Sequence, residues 1–273
     1  MTNGMKRRNL KMVILTNSNY FSTEAARDYW SVSLFKEFDK CEACGLAMSR
    51  GEYEREKSSA LLVGSYVDTR FTGGEGSLGQ FALQHPEIFN SRTGALKAEF
   101  KHAETMIEAV KAQPLMMDYL KGENQVIMTA ELFDVPWKIK IDVHGGNRIV
   151  DLKTVKDFEP LYKEGFGRLS WIEYWGYDIQ GAIYQRIEQI ASGRTEPLPF
   201  YIVAVTKEKV PDVAVIQIPQ YVLDTALKVV ESKIDRFDLV KHEEIEPIRC
   251  ERCDYCKKSK RLTEPSVYEI EEA

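Results

Sequence analysis

No apolar run in this 273-residue chain approaches the ~20 residues needed to cross a bilayer; stretches such as Phe200 to Val205 are far shorter. The basic segment Met5–Lys11 precedes too short an apolar stretch for a signal peptide, so a cytoplasmic protein without a membrane partner is expected. Excess positive charge is also missing. With 37 Lys+Arg against 42 Asp+Glu and a net charge of −5, the whole-molecule field repels phosphates. Any polyanion must be gripped locally. Cysteines are few: five, at Cys41, Cys44, Cys250, Cys253 and Cys256, an odd number in two clusters that suits reduced thiols or a metal better than a disulfide framework. Internal repeats, low-complexity tracts and a Pro/Gly/Ser linker are absent, so 1–273 reads as one domain. Gly73, Gly74, Gly76 and Gly79 lack the Gly-Lys-Ser/Thr that would make a phosphate loop and read as a mobile loop. His85, His102 and His144 show no ligand spacing, and His144 reads as a turn residue.

The chain divides by pattern into a helical N-terminal part (about 17–120), a core (about 121–240) and a Cys-rich tail (245–260). Asn17–Ser22 is a polar entry rich in capping residues. Leu34, Phe38, Cys41 and Gly45 with Leu46 keep helical spacing, and Ser58–Phe71 predicts a second helix. A further helical stretch over Lys101–Leu120 is kinked or split by Pro114. Gln125–Phe133 is rich in β-formers. In the next strand Val135, Trp137, Ile139, Ile141 and Val143 alternate with Lys138, Lys140 and Asp142, which puts Asp142 with the lysines on the side away from the core. His144-Gly145-Gly146-Asn147 supplies a turn into a strand over Ile149–Val155, so a hairpin is expected. A long helix over Glu173–Ala191, strands at Phe200–Thr206 and Val213–Ile218, and a helix opening at Pro219 complete a mixed α/β pattern.

Chemistry concentrates at Asp142, Asp151 and Lys153. Asp151 and Lys153 are two apart on one strand and therefore share a face, roughly 6–7 Å apart along it. Carboxylates from two adjacent strands make a hard-oxygen site suited to Mg²⁺, and a lysine beside it can orient or deprotonate water. A lone Asp-x-Lys is ordinarily a surface ion pair. Here Asp142 precedes it, a long helix follows, and Gln180 and Tyr184 lie at i and i+4 on that helix. Lys138, Lys140, Arg148, Lys153, Lys156, Lys163 and Arg168 gather positive charge in the same segment. Cys250-x-x-Cys253-x-x-Cys256 with Cys41 offers four ligands to a structural zinc ion or iron–sulfur cluster, or remains reduced thiols, with Cys44 an extra candidate.

Lys-Ile-Asp142, Ile-Val-Asp151-Leu-Lys153-Thr154 and Gln180-x-x-x-Tyr184, with looser matches at Ser31-Val-Ser33-Leu-Phe-Lys36 and Leu-Val-Gly64-Ser-Tyr-Val-Asp68, resemble the PD-(D/E)XK nuclease superfamily. Within it the closest likeness is to RecB-like and phage RecE-like exonucleases, and it spans most of the chain. The resemblance implies a restriction-endonuclease-like mixed sheet flanked by helices. It also implies Mg²⁺ (or Mn²⁺) held by Asp142, Asp151 and the Leu152 backbone carbonyl, with Lys153 assisting the attacking water. Many RecB-like members carry a His where this chain has Asp68. As a carboxylate Asp68 is either a hard metal ligand or an exposed helical acid. Gln180 and Tyr184 match a helix motif that contacts substrate; Tyr184 also reads as core packing. Glu131 reads as a second acid near the site or an exposed strand residue. Some RecB-like nucleases are similar in having one Cys before the core and three after it, though their last two are farther apart. The activity implied is Mg-dependent DNA exonuclease action from duplex ends in phage or prophage recombination, with a single-strand annealing protein as partner and a homo-oligomer as assembly. Rival readings are an iron–sulfur RecB-like single-strand nuclease and a non-catalytic DNA-binding module with structural thiols.

Overall fold

The computed structural model describes residues 12–56, 58–74, 76–262 and 265; the Met5–Lys11 segment lies outside them. In chain order the elements begin with α1 (Thr23–Asp28), α2 (Val32–Lys40), α3 (Glu42–Ser49), α4 (Ser59–Thr72) and α5 (Ser77–Gln84). A 3₁₀ turn (Pro86–Ile88), α6 (Ala98–Lys111) and α7 (Pro114–Tyr119) follow, then β1 (Glu123–Leu132), β2 (Val135–His144) and β3 (Ile149–Val155). The short β4 (Leu161–Lys163) and β5 (Gly167–Leu169) lead into α8 (Trp171–Tyr174) and α9 (Tyr177–Ala191). The chain closes through β6 (Phe200–Thr206), β7 (Val213–Gln217), α10 (Gln220–Lys241) and α11 (Asp254–Lys258).

Local chemistry sets most boundaries. Ser22, Ser31 and Ser58 each accept a backbone N–H at the start of α1, α2 and α4. Ser170 and Glu173 form a reciprocal capping box on α8. Pro114 splits the expected 101–120 helix, because a proline is tolerated only in a first turn. Two expected continuous helices are broken. Cys41 is extended and separates α2 from α3, and Gly176 adopts φ +64° and separates α8 from α9. The glycine-rich stretch is no long loop: Gly73 caps α4, Gly76 opens α5 at φ +78°, and Gly79 lies inside α5.

Five strands form one mixed sheet in the order β1-β2-β3-β6-β7, antiparallel except for the parallel β3–β6 pair. A core with α2, α9 and α10 covers one face: Trp30, Phe35 and Phe237 pack with Trp137, Ile139, Ile183, Phe200 and Ile234. Helices α4 and α6 cover the other, where Val67, Phe100, Met106 and Ile107 meet Val143, Val150 and Val203. Gly181 lets α9 approach the sheet, since a Cβ there would lie 2.7 Å from the Phe200 ring and 2.9 Å from Leu223. Gly181→Ala is therefore expected to lower stability by about 1–3 kcal/mol through overpacking, measurable by urea denaturation.

The β2–β3 hairpin is real but short. Only Val143↔Val150 and His144↔Ile149 pair. Beyond them the strands splay, and farther along β2 the vacated edge is taken by Trp30, whose N–H donates to the Pro136 carbonyl and whose carbonyl accepts from the Lys138 N–H. The face of β2 expected to lie away from the core is covered instead. Lys138 is buried, donates to the Tyr20 carbonyl, and lies 4.7 Å from the Tyr20 ring.

Candidate functional site

The splay between β2 and β3 is where the acids meet. The Ile149 N–H and the Val155 carbonyl point to the β6 side. The N–H and C=O of one strand residue point the same way and successive residues alternate, so Leu152 turns both its groups into the gap. Its N–H is taken by Asp142 Oδ2 at 2.9 Å. Across the gap the Tyr184 hydroxyl accepts from the Lys140 backbone. Two side chains thus satisfy backbone donors that a continuous ladder would have used.

Asp151 is buried; its Oδ1 accepts from Gln180 Nε2 at 2.6 Å and its Oδ2 makes only an ion contact with Lys153 Nζ at 2.6 Å. Asp68 enters from α4, which Gly64 lets approach β3: a Cβ at Gly64 would lie 3.0 Å from Thr154 Oγ1. Asp68 Oδ2 receives Gln125 Nε2 at 3.4 Å, while its buried Oδ1 has no partner. Burial pushes the Asp68 carboxyl up to about 6, with Asp151 adding to it. Burial together with Asp151 and Asp68 raises Asp142 well above the usual carboxylate range. Burial alone would lower Lys153, but Asp151 and Asp142 outweigh it and hold the lysine protonated. Three mutually repelling acids, one of them with an orphaned buried oxygen, have the donor chemistry of a hard-cation site.

The acids, Leu152, Lys153, Gln180 and Tyr184 are therefore brought together. The half-buried Tyr184 also packs edge-to-face on Phe200, centroids 6.4 Å apart. The expected basic cluster disperses. Lys138 is buried on Tyr20, and Arg148 binds the Asp118 carbonyl at the turn end; Lys156, Lys163 and Arg168 lie on the surface. His144 is no mere turn residue: its Nε2 lies 3.0 Å from the fully buried Glu188 carboxylate, tying the hairpin to α9. Glu131 is exposed.

Three groups escaped sequence reasoning. Lys36 of α2 donates to the Trp175 carbonyl at 2.8 Å and is drawn down to about 8 by burial, with Lys153 and Lys40 adding. The Tyr177 ring lies 5.0 Å from Lys153 Nζ and 5.5 Å from Lys36 Nζ. Asp178 has a buried Oδ1 without a hydrogen-bond partner, and burial raises its carboxyl. Lys36 closes the Ser31-Val-Ser33-Leu-Phe-Lys36 segment, but only the break at Gly176 brings Trp175 within its reach.

A second donor set forms at the tail. The sulfurs of Cys41, Cys250, Cys253 and Cys256 lie within 4.8 Å of one another, with Cys41–Cys256 at 3.5 Å. Cys44 is left out of this set; it is buried, with Arg55 beside it. Burial opposes ionisation of Cys250, yet the backbone N–H groups of Arg252 and Cys253 pull its thiol down to about 6, into the thiolate range a metal needs. Glu42 docks the tail independently, accepting a bidentate pair from Arg236 and the Ile248 N–H at 2.7 Å.

A mixed sheet carrying acid, acid-x-Lys and helix Gln at a splayed strand pair is the restriction-endonuclease-like core of the PD-(D/E)XK superfamily. Residues 31–259 match the model of a family described as a PDDEXK-like domain of unknown function (DUF3799), and the chain belongs to that family. It is also similar to a crystal structure from Eubacterium rectale bearing the name "Putative exonuclease". The two share 44% identity over 93% of this chain and 97% of the other, with a TM-score of 0.88. No curated protein matches. Among the described residues no helix is long and apolar enough to cross a membrane.

Proposed function

We propose that the protein is a Mg²⁺- or Mn²⁺-dependent exonuclease that hydrolyses DNA phosphodiester bonds, acting from duplex ends in phage-type recombination alongside a single-strand annealing protein. The observation that carries the reading is the convergence of Asp68, Asp142 and Asp151 beside protonated Lys153, with the Asp68 Oδ1 left unpartnered. The name of the Eubacterium rectale protein supports the exonuclease class.

The three carboxylates and the Leu152 carbonyl would hold the metal, which when bound supplies Lewis acidity to the phosphate and lowers the pKa of water. Asp142 keeps the Leu152 peptide aimed into the gap. Gln180 fixes Asp151 by donating to Oδ1, which leaves Oδ2 facing the site. Lys153 neutralises Asp151 in the metal-free protein and can turn to a phosphate oxygen or the attacking water once a cation takes over that charge. The Tyr177 ring restrains Lys153 while it does so.

The deciding experiment incubates end-labelled linear and circular duplexes with the protein and Mg²⁺. Release of nucleotides from linear DNA alone is expected. Intact DNA of both kinds would overturn the enzymatic reading, and nicked circles would replace exonuclease by endonuclease.

A pH-linked prediction follows from Asp68. Its folded pKa of about 6 lies above its ordinary 3.8, so the metal-free folded state binds more protons than the unfolded chain across that window. Stability contributed by the site is then present below ~4 and lost as pH rises through ~6. Urea melts in EDTA should show the wild type losing stability relative to Asp68→Asn between pH 4 and 7, and added Mn²⁺ should shrink the difference at pH 7.

For the tail we propose one structural zinc ion held by Cys41, Cys250, Cys253 and Cys256. Sulfurs within 4.8 Å of one another fit a single tetrahedral ion better than the wider corners of an iron–sulfur cube.

A further inference from the structure

Among the described residues the exposed large aromatics are Phe21, Tyr162, Phe166, Trp175 and Tyr221, and three of these five lie between residues 162 and 175. Tyr162 and Phe166 sit on the β4–β5 hairpin, 72% and 68% exposed, where packing gives no reason for rings of that size. Each has a cation beside it. Tyr162 is paired with Arg168 across the ladder, and Lys163 Nζ lies 4.8 Å from the Phe166 ring. Neither Lys163 nor Arg168 has a carboxylate at ion-pair distance among the described residues, whereas the hairpin's own acid, Glu164, is engaged by Arg252.

The hairpin is fastened to the site through rings. Leu161 packs on the main core, and Phe158 stacks on Trp171 at 5.4 Å. Trp171 meets Tyr177 edge-on at 5.8 Å, and Tyr177 lies against Lys153. Trp175, half-exposed, offers its carbonyl to Lys36. Packed rings therefore run from Lys153 through Tyr177 and Trp171 to Phe158, just ahead of β4, and the hairpin that follows exposes Tyr162 and Phe166 with Arg168 and Lys163 beside them. Flat rings take the faces of unstacked bases, and the cations between them take the phosphates.

We propose that the β4–β5 hairpin is a stacking platform for unpaired bases, so that the strand reaching the carboxylate site is single-stranded over the hairpin even when the substrate is a duplex end. In naming DNA as the ligand this rests on the nuclease reading above. Duplex DNA presents its base faces only to neighbouring bases, so a duplex must fray before it can use these rings.

The test measures fluorescence anisotropy of a labelled 15-nucleotide thymidine strand in an Asp151→Asn background, where the strand stays intact. Tyr162→Ala/Phe166→Ala should weaken binding about 30-fold or more, while Tyr162→Phe should bind like the parent. A strand of the same length with abasic sites should bind the parent and the double variant alike. Equal thymidine-strand affinity in parent and double variant would overturn the proposal. So would an undiminished loss on the abasic strand, which would assign the hairpin to phosphates alone, or equal hairpin dependence for a blunt duplex with locked ends. Separate digestion by the otherwise wild-type protein keeps the two readings apart. Hairpin-dependent binding without any cleavage sinks the nuclease and keeps the platform, and cleavage with hairpin-independent binding does the reverse.

Discussion

Asp142→Asn is expected to remove cleavage by about 10³-fold or more, roughly 4 kcal/mol of transition-state stabilisation, while making the metal-free protein more stable. The two effects share a cause. Burial and the neighbouring Asp151 and Asp68 oppose ionisation of Asp142 in this poorly solvated gap, a cost worth meeting only where a cation is to be bound. Asparagine keeps an oxygen for the Leu152 N–H, so the peptide stays aimed and the fold is not disturbed. Removing the repulsion should raise stability by about 1–2 kcal/mol at pH 7, or about 2–4 °C in Tm per kcal/mol for a chain of this size. Digestion assays and thermal melts in EDTA read the two separately. A variant that loses activity and stability together would mean that Asp142 is a structural acid and that the metal reading of the gap is wrong.

The second large effect is expected at the tail. Cys256→Ser should abolish zinc binding, from one ion per chain by elemental analysis to none, because Cys256 is fully buried among the other three sulfurs. If the free ion stands a thousandfold above its Kd, the loss is about 4 kcal/mol, a fall of about 8–16 °C in Tm. The tail docks on α3, and α3 follows α2, which bears Lys36, so activity should fall as well, though less than on losing Asp142. Cys44→Ser should retain the ion. Four irons and a brown solution would replace zinc by a cluster, and metal-free protein with an unchanged Tm in chelator would discard both.

Gln180 and Asp151 show how far local reading reaches. Period-2 alternation marks β2, the turn residues mark the hairpin that leads into β3, and Asp-x-Lys puts both charges on one face of β3, all of which the structure contains. Serine caps and prolines set helix starts for equally local reasons. Reading failed where backbone geometry departs from the period. The break at Gly176 is a single left-handed residue inside an otherwise helical pattern, and the extended Cys41 divides a run of continuous helical spacing. Lys138 and Lys140 look like a solvated face because alternation reports which side a residue takes and not what later covers it; Tyr20, more than a hundred residues away, does the covering.

Spacing along a single element is enough to say which residues carry charge and thiol and which strand faces they share. Packing between distant elements, by contrast, sets that β2 and β3 part after two pairs, that Asp142 crosses to the Leu152 peptide, and that Asp68 arrives from α4 across Gly64. The same packing brings Cys41 and not Cys44 to the tail, and sets Lys36 and Tyr177 beside Lys153. Each of these is a contact between elements distant in the chain, selected by packing and by the need to satisfy backbone groups in the gap, and no local period encodes it.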